Sequence, residues 1–233
     1  MATLKAPKPI SKRSELRKDA AVTIFVQIQE FIYQNRTLAY GIAGAAVLVL
    51  LVIVGYVYVQ SQRGVEAQDL LGGIVLVYEQ GRYQEALDGA GDQPGLLVIA
   101  EDYGGSEAGN MARFYAADAL FRLGEYDQAL KYFEAFDKGN HIVGASALAG
   151  EAAIYETKED YARAGALYRR AALQYEDGLT SPEYLHASGR AYEKAEQYED
   201  ARNVYQMIRD RFPESAHAQS LDYYLARVAV KIK

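Results

Sequence analysis

The sequence has 233 residues, half of them apolar, with 25 Lys/Arg against 31 Asp/Glu and no cysteine. This composition supplies enough apolar surface for a sizeable core and argues against a disordered chain. Without cysteine the chain has no disulfide, no thiolate metal site and no cysteine nucleophile.

The charge divides into a basic N-terminal tail and an acidic body. Residues 1–37 contain seven Lys/Arg and three Asp/Glu, whereas the remainder contains 18 Lys/Arg and 28 Asp/Glu, a net charge of −10. An acidic body is repelled by the phosphate backbone of nucleic acids, so we expect no nucleic-acid partner.

Within the tail, between Asp19 and Arg36, apolar residues recur at helical spacing. They are Val22, Phe25, Val26, Ile28, Phe31 and Ile32. The pattern predicts an amphipathic helix, which either lies on the cytoplasmic leaflet of a membrane or extends a membrane span.

An uncharged apolar stretch follows the tail. It covers residues 38–59, LAYGIAGAAVLVLLVIVGYVYV, 22 residues long. At about 1.5 Å per residue this gives roughly 33 Å of helix, enough to cross a hydrocarbon core of about 30 Å. A buried core helix is the alternative, but such helices are usually shorter and amphipathic. The stretch predicts a single transmembrane helix.

The flanking residues predict how this helix is oriented. A cleavable signal peptide has a shorter apolar region behind a short basic stretch, and no clear A-x-A site follows here, so we interpret the helix as an uncleaved signal anchor. The tail has seven bases, whereas the twenty residues after Val59 contain only Arg63. This excess of basic residues before the span predicts a cytoplasmic N-terminus and a periplasmic body at a bacterial inner membrane. We therefore expect membrane lipid as a partner of the chain.

A short pattern occurs four times in the body. It reads GRYQEAL at 81–87, GEYDQAL at 124–130, EDYARAG at 159–165 and EQYEDAR at 196–202. Its alanines are 43, 35 and 37 residues apart, and the last two spacings are close to the 34-residue period of a helix-turn-helix repeat.

Small and aromatic residues extend the repeated pattern. Twelve residues before each of the last three alanines stands a small residue, and four residues after stands an aromatic one; the pairs are Ala117 with Phe133, Ala152 with Tyr168, and Gly189 with Tyr205. Small side chains opposite aromatic ones at helical spacing allow paired helices to pack closely.

On these residues the sequence resembles the tetratricopeptide repeat family over most of residues 110–213. The resemblance implies an all-α fold, in which the transmembrane helix precedes an α-solenoid of helical repeats. We expect a divergent first repeat and connection at 60–109, where LDGAGDQPG breaks the second helix, three repeats at 110–213, and a C-terminal capping helix at 214–233.

No residue pattern indicates catalysis or a metal site. The three histidines are far apart, and no serine lies in a G-x-S-x-G elbow. The Gly104-Gly105-Ser106 turn lacks the Gly-Lys-Ser/Thr residues that end a phosphate-binding loop. It predicts a helix C-cap followed by an N-cap. We expect a non-enzymatic protein with no cofactor, no metal and no small-molecule substrate.

The family resemblance implies where a protein partner binds. The first helix of each pair lines a groove that receives a peptide or a partner helix. The candidate groove residues are Met111, Phe114, Asp118, Phe121, Ala149, Ala153, Glu156, Glu183, His186, Arg190 and Glu193. This set lacks the Lys/Asn/Arg combination by which chaperone-binding members hold a C-terminal carboxylate.

The order of tail, span and repeats resembles the ancillary subunit of the bacterial Sec translocon. The resemblance implies translocon subunits, a periplasmic chaperone and emerging secreted chains as partners. A structural scaffold or assembly factor of another envelope complex is the alternative, and the sequence leaves both open.

Overall fold

The structure is a computed structural model that describes residue 33 and residues 35–232. The predictions for the basic tail at 1–37, including its amphipathic helix, therefore lie almost wholly outside the described residues. The chain divides into two units, residues 1–59 and residues 60–233.

In the first unit, the described residues form the beginning of a long helix, α1, Arg36–Glu79. This helix contains a window of 18 residues with a mean hydropathy of 2.6, none of it buried by other parts of the chain. Val52, Val54 and Tyr56 are 64–71% exposed. Among the described residues, α1 is the one helix long and apolar enough to cross a membrane.

Helix α1 extends well beyond the predicted span of residues 38–59. Its remaining turns belong to the second unit, where Ala67 and Ile74 are fully buried. The helix ends where the Gly81 N–H bonds to the Tyr78 carbonyl oxygen at 2.9 Å, with Gly81 at φ 77°. Glycine adopts this left-handed backbone without steric cost.

The divergent region then contains two short helices, α2 Tyr83–Asp88 and α3 Leu96–Asp102. The predicted break lies between them, and it is a two-stranded antiparallel hairpin of β1 Gly89–Ala90 and β2 Gln93–Pro94. The sequence indicated the break but not this hairpin, because two-residue strands are too short to show an alternating pattern.

Three antiparallel helix pairs follow in the repeat region. They are α4 Glu107–Arg122 with α5 Tyr126–Ala135, α6 Ile142–Thr157 with α7 Tyr161–Gln174, and α8 Thr180–Lys194 with α9 Tyr198–Arg211. Together with α1 they give the described chain the mostly helical, tetratricopeptide-type repeat fold expected from the sequence.

The turn inside each pair has the same backbone conformation. Gly124, Glu159 and Glu196 all have a left-handed φ, between 61° and 84°. In each turn the next N–H bonds to the carbonyl five residues back at 2.9 Å, as Glu125 does to Leu120. This closure satisfies carbonyls left over at the end of the first helix.

The alanines of the repeated pattern lie in the core. Ala86, Ala129, Ala164 and Ala201 are all fully buried. Gly189 lies directly against the ring of Tyr205, as the spacing of small and aromatic residues predicted. Close helix packing therefore depends on the absence of side-chain volume at these positions.

The C-terminal segment begins as a 3-10 helix, Ala216–Ser220, and continues as α10, Leu221–Ala229. The sequence predicted one amphipathic helix from Ser215 to Val230. In this first turn the Ala218 N–H donates to the Ser215 carbonyl oxygen three residues back at 3.0 Å, the hydrogen bond of a 3-10 helix. The Ser215 hydroxyl caps the turn by accepting from the same N–H at 3.3 Å. Leu221 and Val228 are buried where α10 packs against α9.

Candidate protein-binding surface

Three carboxylates among the predicted groove residues have partners within the fold. Asp118, Glu156 and Glu193 lie in the second halves of α4, α6 and α8, the first helix of each pair. Glu156 and Glu193 occupy equivalent places, four residues after Ala152 and Gly189, whereas Asp118 lies about one turn earlier in its helix. In each case a tyrosine hydroxyl from another helix and one basic side chain contact the carboxylate.

The first carboxylate, Asp118, is held by groups on both of its sides. It accepts hydrogen bonds from the Tyr78 hydroxyl of α1 and from the Arg122 guanidinium one turn later in α4. Burial raises the pKa of Tyr78, and the Asp118 carboxylate raises it further, so the tyrosine remains the donor. The contact fixes the last turns of α1 to the first repeat.

The second carboxylate, Glu156, joins two repeats. Its Oε1 accepts a hydrogen bond from the Lys194 Nζ of α8 at 2.8 Å, and its Oε2 accepts a longer one from the Tyr168 hydroxyl at 3.4 Å. Lys194 also lies over the ring of Tyr161, 4.8 Å from its centroid. One carboxylate therefore connects α6, its partner α7 and the next repeat.

The third carboxylate, Glu193, joins the last repeat to the C-terminal helix. Arg227 of α10 donates to both of its oxygens, at 2.7 and 2.6 Å, and the Tyr205 hydroxyl donates to Oε1 at 2.6 Å. Bidentate pairs of this kind are among the stronger polar contacts in proteins. All of these partners are intramolecular, so Glu193 acts first as a structural residue.

His186 is also covered by the C-terminal segment. Its ring stacks on His217 with centroids 4.7 Å apart, and Tyr224 meets it edge-on at 4.8 Å. Burial lowers the pKa of His186 to about 4, with the neighbouring His217 contributing in the same direction. Its Nε2 is buried and has no hydrogen-bond partner among the described residues.

The aromatic groove candidates pack into the first part of the core. Phe114 contacts Phe133 and Phe136, with ring centroids 6.1 and 5.7 Å apart. Phe121 lies against Tyr126 at 5.5 Å. These two side chains are half-buried and bridge the helices of the first pair rather than standing free.

Met111 lies beside a cavity instead. This cavity of about 320 Å³ is formed by the turns of α1 after Gln60 and the start of α4. Ala149 and Ala153 are half-buried in α6. Glu183 and Arg190 are exposed on α8, and neither forms an ion pair within residues 35–232.

The structure therefore separates the predicted groove residues into two groups. Asp118, Glu156, His186 and Glu193 have intramolecular partners, whereas Met111, Glu183 and Arg190 are available at the surface. The sequence did not indicate the tyrosine donors. A signal was present, because Tyr168 and Tyr205 each follow their carboxylate by twelve residues.

The Gly104-Gly105-Ser106 turn is a helix start, as predicted. The Ser106 hydroxyl accepts a hydrogen bond from the Gly109 N–H at 3.0 Å and so caps α4. Within the part of the chain that the structure describes, no cluster of three or more His, Asp or Glu side chains could hold a metal ion.

The sequence comparison agrees with the helix pairs. Residues 111–138 and 183–215, which cover most of the first and third pairs, match the sequence profile of the tetratricopeptide repeat. No curated protein matches the chain. Repeats of this type are in general non-enzymatic modules for protein–protein interaction.

Proposed function

We propose that this protein is a non-enzymatic, membrane-anchored module that binds other proteins on the periplasmic side of a bacterial inner membrane. In this proposal it is an ancillary subunit of the Sec translocon, in contact with translocon subunits, a periplasmic chaperone and emerging secreted chains. The basic tail and the apolar helix anchor the protein in the bilayer, and the repeats bind its partners.

The observation that carries the membrane proposal is the first part of α1. An 18-residue window of this helix has a mean hydropathy of 2.6 and is not buried by any other described part of the chain. At about 25 cal/mol per Å² of apolar surface, leaving so many apolar side chains in water would be strongly unfavourable, whereas a bilayer accepts them.

The binding proposal concerns the free members of the candidate groove. Glu183 and Arg190 lie exposed on α8, seven residues apart and therefore on one face of that helix. Met111 lies beside the cavity at the other end of the repeats. We expect a partner to contact these residues, since neither charged side chain has an internal role that binding would disturb.

The absence of cysteine gives a direct test of the topology. Two single-cysteine variants of the full chain, Ser14→Cys in the tail and Gln219→Cys in the C-terminal segment, are treated in spheroplasts with a membrane-impermeant maleimide. We expect labelling of Gln219→Cys in intact spheroplasts, and labelling of Ser14→Cys only after lysis.

Two outcomes would contradict the anchored topology. Labelling of both positions in intact spheroplasts would place the tail outside, and recovery of the unlabelled chain in the soluble fraction would show that α1 does not anchor it. The cysteine-free wild-type chain is the control for background labelling.

A further inference from the structure

Helix α7 differs in charge from the rest of the body. Residues Tyr161–Gln174 contain Arg163, Arg169 and Arg170 and no carboxylate, although residues 38–233 carry a net charge of −10. Among the helices of residues 35–232, it is the one that has arginines without any Asp or Glu. Its surface therefore attracts negative charge where most of the body repels it.

Two of these arginines stand beside a groove. The groove has a volume of about 350 Å³ and is lined by Ala166, Arg169, Arg170, Leu173, Gln174 and Tyr192. The first four occupy positions i, i+3, i+4 and i+7 of α7, so they form one continuous stripe. Leu173 is 43% exposed, and it gives the stripe an accessible apolar side chain.

The groove has a fixed floor. Tyr192 of α8 is almost fully buried and packs against Gly165, whose added Cβ would lie 2.8 Å from the tyrosine ring. Gln174 donates a hydrogen bond to the Gly139 carbonyl oxygen and so ties the end of α7 to the preceding connection. The surface presented to a ligand is thus held by two neighbouring elements.

The two groove arginines have no counter-charge in contact within the described part of the chain. Neither Arg169 nor Arg170 forms an ion pair within residues 35–232. Arg163, by contrast, lies over the ring of Tyr155 at 4.0 Å and is outside the groove. One carboxylate, Asp200, does lie near Tyr192 at the floor of the groove. It belongs to α9, the second helix of the third pair.

We propose that this stripe of α7 is a docking site for an acidic segment of a partner protein that carries apolar side chains between its carboxylates. The two guanidinium groups pair with carboxylates, and Leu173 with the floor of the groove receives an apolar side chain. The stripe lies on the second helix of its pair, whereas the exposed Glu183 and Arg190 of the candidate groove lie on a first helix. The inference does not depend on the translocon proposal, because its test needs no native partner.

The test uses full-length protein in maltoside detergent and a fluorescein-labelled peptide of sequence EELLEELLEELL. Binding is measured by fluorescence anisotropy, with KKLLKKLLKKLL and empty micelles as controls. We expect saturable binding of the acidic peptide that weakens at least tenfold in Arg170→Glu and in Leu173→Asp. The matched control is Lys131→Glu, which makes the same change of charge on exposed α5, outside both the groove of α7 and the candidate groove, and should leave the affinity unchanged.

Three results would overturn the proposal. Equal affinities for wild type and Arg170→Glu would remove α7 from the site, and loss of binding in Arg190→Glu alone would move the site to α8. Binding of phosphatidylglycerol vesicles without binding of the peptide would show that the arginines recognise lipid. Far-ultraviolet circular dichroism of each variant confirms that the helices remain folded.

Discussion

The carboxylates Asp118, Glu156 and Glu193 provide hydrogen-bond acceptors for tyrosine side chains that pack in or beside the core. Each receives a tyrosine hydroxyl from a neighbouring helix. A buried or half-buried hydroxyl without a partner would cost about 1–3 kcal/mol, so the carboxylate is what allows the aromatic ring to be placed in the core.

Glu193 and Glu183 provide a matched pair on one helix. Glu193→Ala removes the acceptor for Arg227 and Tyr205, and we expect it to lower the free energy of unfolding by about 2 kcal/mol. Glu183→Ala removes an exposed carboxylate without an ion pair, and a change within about 0.5 kcal/mol is expected. Urea denaturation followed by circular dichroism measures both. Equal losses would contradict the structural role of Glu193.

His186 predicts a pH dependence of stability. Its pKa falls from an ordinary value of 6.5 to about 4, because burial and the adjacent His217 disfavour the charged ring. Arg190 and Arg227 act in the same direction, and Glu193 opposes them. Between these two pH values the unfolded chain binds a proton that the folded chain does not, so stability is fully present above pH 6.5 and declines toward pH 4.

The measurement is the melting temperature of wild type and of His186→Phe at pH 7.5, 5.5 and 4.5. Phenylalanine keeps an aromatic ring against His217 and Tyr224 but does not titrate. The decrease on acidification should be smaller in the variant than in wild type. Parallel curves would show that His186 does not contribute to acid sensitivity.

For individual residues, the sequence predicted which side chains belong to the candidate groove but not which partners they contact within the fold. It identified Glu156 and Glu193 as members of a groove, but their partners Lys194 and Arg227 lie 38 and 34 residues away. Contacts between residues so far apart depend on how successive repeats stack. The spacing of residues within one repeat does not determine that stacking.

Among the secondary-structure elements, the second helices of the three pairs begin at the same place in the repeated pattern. The tyrosine of each Tyr-x-x-Ala motif is the first residue of the helix, as Tyr126, Tyr161 and Tyr198 are in α5, α7 and α9. The long continuation of α1 was not predicted, because its residues after Val59 lack the uninterrupted apolar character that marked the span.

The contact between Gly189 and Tyr205 tests the packing inside the third pair. A Cβ added at Gly189 would collide with the ring of Tyr205, which is fully buried and whose hydroxyl is bonded to Glu193. We expect Gly189→Ala to destabilise the fold by about 1–3 kcal/mol, despite the better helix propensity of alanine. Gly178→Ala is the control, since its Cβ would meet no atom within 4 Å. A stabilised Gly189→Ala variant would refute the contact.

A buried ion pair holds the connection between the first and second pairs. Lys138 Nζ lies 2.8 Å from Glu151 Oε1, with 15% and 9% of the two side chains exposed. Lys138 also donates to the Phe133 carbonyl oxygen at 2.6 Å. The ion pair joins the segment after α5 to the middle of α6.

Removing one partner of this pair should be more harmful than removing both. Glu151→Ala leaves a buried ammonium without its counter-charge, and we expect a loss of roughly 3–5 kcal/mol. The double variant Lys138→Met/Glu151→Leu replaces the pair by apolar volume and should recover most of that loss. Thermal unfolding of the three proteins distinguishes these cases, and additive losses in the double variant would contradict the coupling.

For the whole molecule, the sequence predicted the all-α repeat fold and a helix able to span a membrane. Both follow from long patterns, the 35- and 37-residue spacing and the uncharged stretch of 22 residues. The candidate protein-binding surface was less predictable. Which of its residues are exposed depends on what the C-terminal segment covers, and that segment lies more than twenty residues from His186 and Glu193 in the sequence.

The function proposed for the molecule rests on combining an anchor with a protein-binding repeat. In this proposal the anchor restricts the repeats to the membrane surface, which raises the local concentration of any partner held in the same membrane. The helices supply two surfaces that differ in charge: α7 is basic, and α8 carries both acidic and basic side chains.

The most direct test of this account is mild-detergent affinity purification of the full-length protein from its native membranes, followed by mass spectrometry. The account predicts enrichment of translocon subunits and a periplasmic chaperone. Their absence beside one stoichiometric envelope complex would contradict the translocon proposal and favour a structural scaffold.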